Sequence, residues 1–180
     1  MTLLAEETVA ELDGATSDVT VDTPCAKFRG PLVDVGAICC VSIVRAGDGL
    51  LERFRSILPG VSAGKILIQR DESSAGKEAK LFYSKLPADI RGKAAVVLCD
   101  PMLATGGSAI KAIESLETAG VDPSSITFSN VVSCPEGISN LSRAYPDVKI
   151  VTACVDEGLN DQRYIVPGLG DYGDRFFNTA

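Results

Sequence analysis

Apolar residues fall along this chain in short runs separated by polar stretches of helical period. The runs AICCVSIV (37–44), KILIQR (65–70), AAVVLCD (94–100), ITFSNVVS (126–133) and VKIVTACV (148–155) are rich in Val and Ile. That is the pattern of strands buried on both faces. Between them, 49–58, 107–119 and 135–145 carry apolar positions at helical spacing, each ending near Gly or Pro, and predict helices. Strands alternating with helices imply a mostly parallel sheet covered on both sides. The opening is different: 3–12 predicts a short helix, and SDVTVDTP with CAKFRG predicts an antiparallel ribbon. The stretch DESSAGKEAK (71–80) is polar and glycine-containing and predicts a mobile connection.

Composition narrows the picture. At 180 residues with 46% hydrophobic content, the chain has material for one buried core and is expected to form a single domain spanning 1–180. Seventeen basic against 24 acidic residues give a net charge of −7, so neither nucleic acid nor an anionic membrane is an expected partner. No run approaches the roughly 20 apolar residues of a membrane span. The six cysteines include no CxxC pair and mostly sit inside apolar runs, which reads as reduced core thiols and a cytoplasmic protein. Histidine is absent, which excludes Ser-His and Cys-His nucleophiles, imidazole bases and His-ligated metals.

In a parallel sheet ligands bind at the carboxyl ends of the strands, so the residues just after each apolar run are the candidates for chemistry. In VVLCDPMLATGGS (96–108), Asp100 ends a buried run, and Pro101, Met102, Leu103 and Ala104 lead to Thr105, Gly106, Gly107 and Ser108 at the start of a helix. A carboxylate there accepts ribose hydroxyls. Free amides and the positive end of the helix dipole face a phosphate, with the Thr105 and Ser108 hydroxyls as further donors. A bare TGGS reads equally well as an ordinary capped helix; the strand and acid before it favour a sugar-phosphate turn. Arg45, within SIVRAGDG (42–49), and Arg70, ending ILIQR, stand at the same sheet edge, where guanidinium forks suit phosphate oxygens. A lone Arg in a glycine turn is usually a surface residue, but two beside a phosphate turn suggest a ligand with several phosphates. YIVPGLGDYGDRFF (164–177) contains GxGxxG at Gly168, Gly170 and Gly173, without the helix and acid about 20 positions on that a dinucleotide site needs. It reads instead as a rigid glycine-rich wall, with Asp171 and Asp174 as its polar groups. SAGKI (62–66) lacks the spacing of a nucleotide triphosphate loop.

Together, SIVRAG, KILIQRDE, LFYSKLP, DPMLATGGSAIKAIE, PEGI, DEGLN and YIVPGLGDYGDRFF resemble uracil phosphoribosyltransferase, in order and over nearly the whole chain. The resemblance implies an α/β type I phosphoribosyltransferase fold, a mostly parallel central sheet flanked by helices with a small β-ribbon or hood region. It implies the reaction of uracil with phosphoribosyl pyrophosphate (PRPP) to give UMP and pyrophosphate in pyrimidine salvage, assisted by Mg2+. Carried over by position, residues 100–108 would bind PRPP, with Asp100 on the ribose hydroxyls and Arg45 and Arg70 on or near the pyrophosphate. Ile165, Gly170, Asp171 and Tyr172 would line the uracil pocket, with Asp171 also near PRPP and its magnesium. The 71–80 connection would close over the site. The resemblance further implies a homodimer or higher homo-oligomer, and an N-terminal segment ahead of the position of Met1 that contributes to packing and assembly. The chain departs from the family pattern in SSAGKEAKLF, which lacks the Leu-Pro usual before KLF-like strings, a difference that bears on loop closure. On the same residues, a catalytically silent, nucleotide-binding regulatory relative and a transferase for another base stand as alternatives.

Overall fold

The computed structural model describes residues 1–70 and 79–179, the side chain of Arg70 excepted. A short helix α1 (Thr2–Ala10) precedes a hairpin of β1 (Thr16–Asp22) and β2 (Lys27–Val33), then β3 (Ile38–Val44), α2 (Asp48–Ile57), β4 (Ser62–Arg70) and β5 (Ala79–Lys85). There follow β6 (Ala95–Cys99), β7 (Met102–Leu103), α3 (Gly107–Thr118), β8 (Ile126–Ser133), α4 (Pro135–Ala144) and β9 (Lys149–Val155). The chain closes with β10 (Gly158–Leu159), β11 (Ile165–Val166) and α5 (Tyr172–Phe177).

Strands β4, β3, β6, β8 and β9 lie side by side and parallel, with β5 antiparallel on the outer edge of β4. After Pro101, β7 resumes the line of β6 and pairs with β8 in the same register. Alternation divides the central strands between two cores. Val96 and Leu98 of β6, with Val41 and Phe128, pack under Ala109, Ala112, Ile113 and Leu116 of α3 and Leu141 of α4. Val97 and Cys99, with Ile38 and Cys40, pack under Leu4 and Ala5 of α1 and Leu50, Leu51 and Phe54 of α2. Completely burying a side chain such as Phe54 or Phe128 contributes about 1.5–3 kcal/mol. Buried Thr8 ties α1 to the sheet: its hydroxyl donates to the Leu4 carbonyl at 2.7 Å and meets the Ser129 hydroxyl at 2.9 Å.

The five predicted runs are the five parallel strands, the predicted helices form within one or two residues of their expected bounds, and the ribbon forms within three. Five elements escape the pattern, among them β7 and β10, which at two residues each are too short for periodicity to mark. β5 is an exposed edge strand, so its residues show no buried run. β11 and α5 occupy the segment read as a glycine-rich wall; two and six residues long, they are too short for periodicity to mark. The thiols divide: Cys39, Cys40, Cys99 and Cys134 are buried, whereas Cys25 and Cys154 are exposed, the first in the ribbon turn and the second at the end of β9. The predicted mobile connection falls, for 71–78, outside the described residues.

Candidate active site

At the carboxyl ends of β3 and β6 the sheet opens into a cavity of about 280 Å³. Its wall takes in Asp100, Met102, Leu103, Ala104, Thr105, Gly106, Gly107 and Ser108 on one side and Ile165, Gly170, Asp171 and Tyr172 on another. Two segments more than 50 positions apart in sequence are therefore brought to one space, and all but three of the expected site residues line it. Pro101 is buried just below the cavity, its carbonyl accepting from the amides of Val131 and Val132 at 3.0 Å each. Arg70 ends β4, placed here by backbone only.

The phosphate turn is built by backbone geometry. Gly106 has φ +83, a left-handed conformation that glycine adopts without steric cost, and it starts α3 with no side chain capping the helix. The first-turn amides are thus left facing the cavity, with the helix dipole behind them. α4 braces this turn from behind. The Asn140 amide donates to the Thr105 carbonyl at 3.1 Å, and the Cys134 thiol donates to the Ala104 carbonyl at 3.0 Å. A Cβ on Gly137 would lie 2.6 Å from the Leu103 carbonyl oxygen, so only glycine allows this approach.

Asp100 sits at the cavity floor. Burial pushes its carboxyl up to about 7, against a Met102 amide N–H that pulls it the other way. On the opposite wall Asp171 caps α5, accepting from the Asp174 amide at 2.9 Å, and the Arg175 guanidinium donates to the Leu169 carbonyl at 2.8 Å. Gly168 is pinned through its amide to Asp156 at 2.9 Å. The wall is thus fixed by hydrogen bonds rather than by its glycines alone.

Arg45 does not open onto the cavity as directly as its position after β3 suggested. Its guanidinium donates to Asp174 at 2.6 Å and to Thr179 at 3.0 Å and lies 5.5 Å from the centre of the Phe177 ring. It stands behind Gly173, whose added Cβ would meet it at 3.4 Å. The Thr179 hydroxyl, and after it Arg45, hold the Asp174 carboxyl below its usual range. Asp48, next along the same loop, is held in turn by Ser42 at 2.7 Å and Lys65 at 2.9 Å. Sequence reasoning found the turn, the acid and the wall. It missed the braces from α4 and the clasp of α5 on Arg45, because both join residues 30 or more positions apart with no local signature. Arg163, also on the cavity wall, was missed with them.

The sequence profile of the family described as uracil phosphoribosyltransferase matches residues 1–179. The chain belongs to the uracil phosphoribosyltransferase family. It is 49% identical over 175 residues to the uracil phosphoribosyltransferase of Saccharomyces cerevisiae, covering 97% of this chain and 79% of that protein. Over 177 residues it is 47% identical to uracil phosphoribosyltransferase 1 of Schizosaccharomyces pombe, covering 98% of this chain and 78% of that protein. A solved protein structure from Aquifex aeolicus superposes with a TM-score of 0.85 at 32% identity, over 99% of this chain and 82% of that one. A purine phosphoribosyltransferase from Pyrococcus horikoshii shares the fold at 18% identity and a TM-score of 0.52, over 67% of this chain and 71% of that one. The architecture is that of type I phosphoribosyltransferases, and the uracil phosphoribosyltransferase family places the chain among the pentosyltransferases.

Proposed function

We propose that this enzyme transfers the 5-phosphoribosyl group of PRPP to N1 of uracil, releasing pyrophosphate and giving UMP, in pyrimidine salvage. The observation that carries the reading is the shared cavity: a phosphate turn with a ribose-binding acid on one wall faces a hydrogen-bonded backbone wall on the other. The turn from Thr105 to Ser108 holds the 5-phosphate through amides and hydroxyls, and Asp100 accepts from the ribose hydroxyls. Ile165, Gly170, Asp171 and Tyr172 present backbone groups to uracil, whose two carbonyls and two N–H groups need fixed complements. A cytosine amino group would leave one of those complements unpaired, which is the kind of mismatch that discriminates strongly.

Departure of pyrophosphate leaves positive charge on the ribose ring, so the demand on the protein is to stabilise the leaving group and exclude water. Arg45 and Arg70, at the ends of β3 and β4, supply positive charge on that side. Asp100 and Asp171, facing each other across the cavity, are oxygen donors of the kind that suits a hard divalent ion shared with substrate phosphates. When bound, Mg2+ would neutralise charge on the pyrophosphate. A homodimer fits the exposed apolar face of the β1–β2 hairpin, a single domain fits the continuous central sheet, and a cytoplasmic setting fits the free thiols. With labelled uracil, PRPP and Mg2+, the expected result is UMP and pyrophosphate in equal amounts; folded protein giving no UMP would overturn the proposal.

A further inference from the structure

Arg163 is, among the described residues, the one cationic residue on the cavity wall, and it is held there in an unusual way. It has φ +66, and Asn178 is the only other non-glycine residue with positive φ among those described. Such a conformation costs energy for a branched-free but bulky side chain unless surrounding contacts impose it. Here a turn imposes it. The Arg163 amide donates to the Asn160 carbonyl at 2.8 Å, and the Asn160 side-chain oxygen accepts from the amides of Gln162 at 3.0 Å and Tyr164 at 2.9 Å. The Asn160 amide in turn donates to the Tyr164 carbonyl at 2.9 Å.

This turn joins β10 to β11, and Leu159 and Ile165 on either side of it pack in one cluster with Met102, Ala104, Val132 and Cys134. The hairpin is therefore seated on the same block that carries the phosphate turn. Arg45 and Arg70 come from β3 and β4, on the other side of β6. The phosphate turn itself offers amides and hydroxyls but no cation, and Lys111 of α3 is paired with Glu114 at 2.6 Å. The Arg163 guanidinium has no hydrogen bond or ion pair with the described residues.

We propose that Arg163 contacts the 5-phosphate of the bound ribose nucleotide, supplying the positive charge that the amides of the turn lack. This assignment rests on the phosphoribosyl reading of the cavity. An exposed arginine acts on binding, by a charge-assisted hydrogen bond that salt weakens.

The test is calorimetric binding of UMP, with pyrophosphate as the control ligand, to the wild-type chain, R163G and R163K, alongside steady-state kinetics and melting. R163G removes the charge and relieves the left-handed backbone. It is expected to melt at or above the wild-type temperature, to bind UMP about tenfold more weakly, to raise KM for PRPP similarly, and to leave KM for uracil and pyrophosphate binding unchanged. R163K keeps most of the affinity, and UMP binding loses part of its salt dependence only in R163G. UMP affinity within twofold of wild type in R163G overturns the assignment, as does a loss confined to pyrophosphate. A wild-type chain that binds neither UMP nor PRPP overturns the functional reading on which the assignment stands, and is recognised before any variant is made.

Discussion

At the scale of single residues, Asp100 carries the proposed contact to the ribose hydroxyls. Its carboxyl titrates near 7 in the folded protein because burial penalises the charge. The folded pKa lies above the unfolded one, so folding favours the protonated form: the stabilisation is full below about pH 4 and is lost as pH rises through about 7. Accepting two ribose hydroxyls requires the ionised form. The kcat/KM for PRPP should therefore rise as pH passes through about 7, and an Asp100→Asn enzyme should lose about 10–100-fold in that parameter and the rise with it. The same variant should melt above wild type at pH 8, since it carries no buried charge. A lower melting temperature there would contradict the burial argument. Arg45 makes a second case: with its side chain 51% exposed and that of Asp174 40% exposed, their pair is screened by water. Asp174→Asn should leave melting nearly unchanged while raising KM for PRPP several-fold, because the guanidinium loses its orientation; unchanged KM would show that the clasp does not position Arg45.

At the scale of elements, α4 is as much a part of the site as the turn it supports. Gly137→Ala would press a methyl group into the Leu103 carbonyl, and the turn must move to accept it. UMP affinity should fall at least about tenfold, whereas Asn140→Ala, which removes one bond to the Thr105 carbonyl, should cost about 1 kcal/mol of UMP binding. Equal effects of the two substitutions in titration calorimetry would contradict this order. These braces explain what sequence could and could not reveal. The strands β3, β6 and β8 are buried along nearly their whole length because both faces are covered, so each is visible as a largely apolar run, and Asp100 stands out as the acid after one of them. Gly137 and Asn140 look like ordinary residues of an amphipathic helix. Their importance comes from contacts with Leu103 and Thr105, more than 30 positions away, which no local pattern encodes. The α5 clasp on Arg45 was hidden for the same reason.

At the scale of the molecule, the sheet brings the sugar-phosphate turn and the glycine-rich wall to one cavity, although each alone is ambiguous. The wall segment contains a dinucleotide-like glycine spacing, and only its position opposite Asp100 shows what it faces. The β1–β2 hairpin meets the second core at its base, where Val33 packs against it. Val21, Phe28 and Leu32 are 47%, 60% and 57% exposed, and Val21 lies opposite Phe28 in the register, so one face of the ribbon is apolar and uncovered. Replacing Phe28 and Leu32 together by Asp should convert a dimer to a monomer in sedimentation without lowering the melting of the fold by more than a few degrees; an unchanged assembly would place the interface elsewhere. The account's central claim is transfer of phosphoribose to uracil by this cavity, and its most direct measurement is a competition assay. Labelled uracil, cytosine, hypoxanthine and orotate are each offered with PRPP and Mg2+. The account predicts UMP and pyrophosphate from uracil, with the other three bases used at least about a hundredfold less efficiently. Preferential use of any other base, or no nucleotide from any of the four, would contradict it.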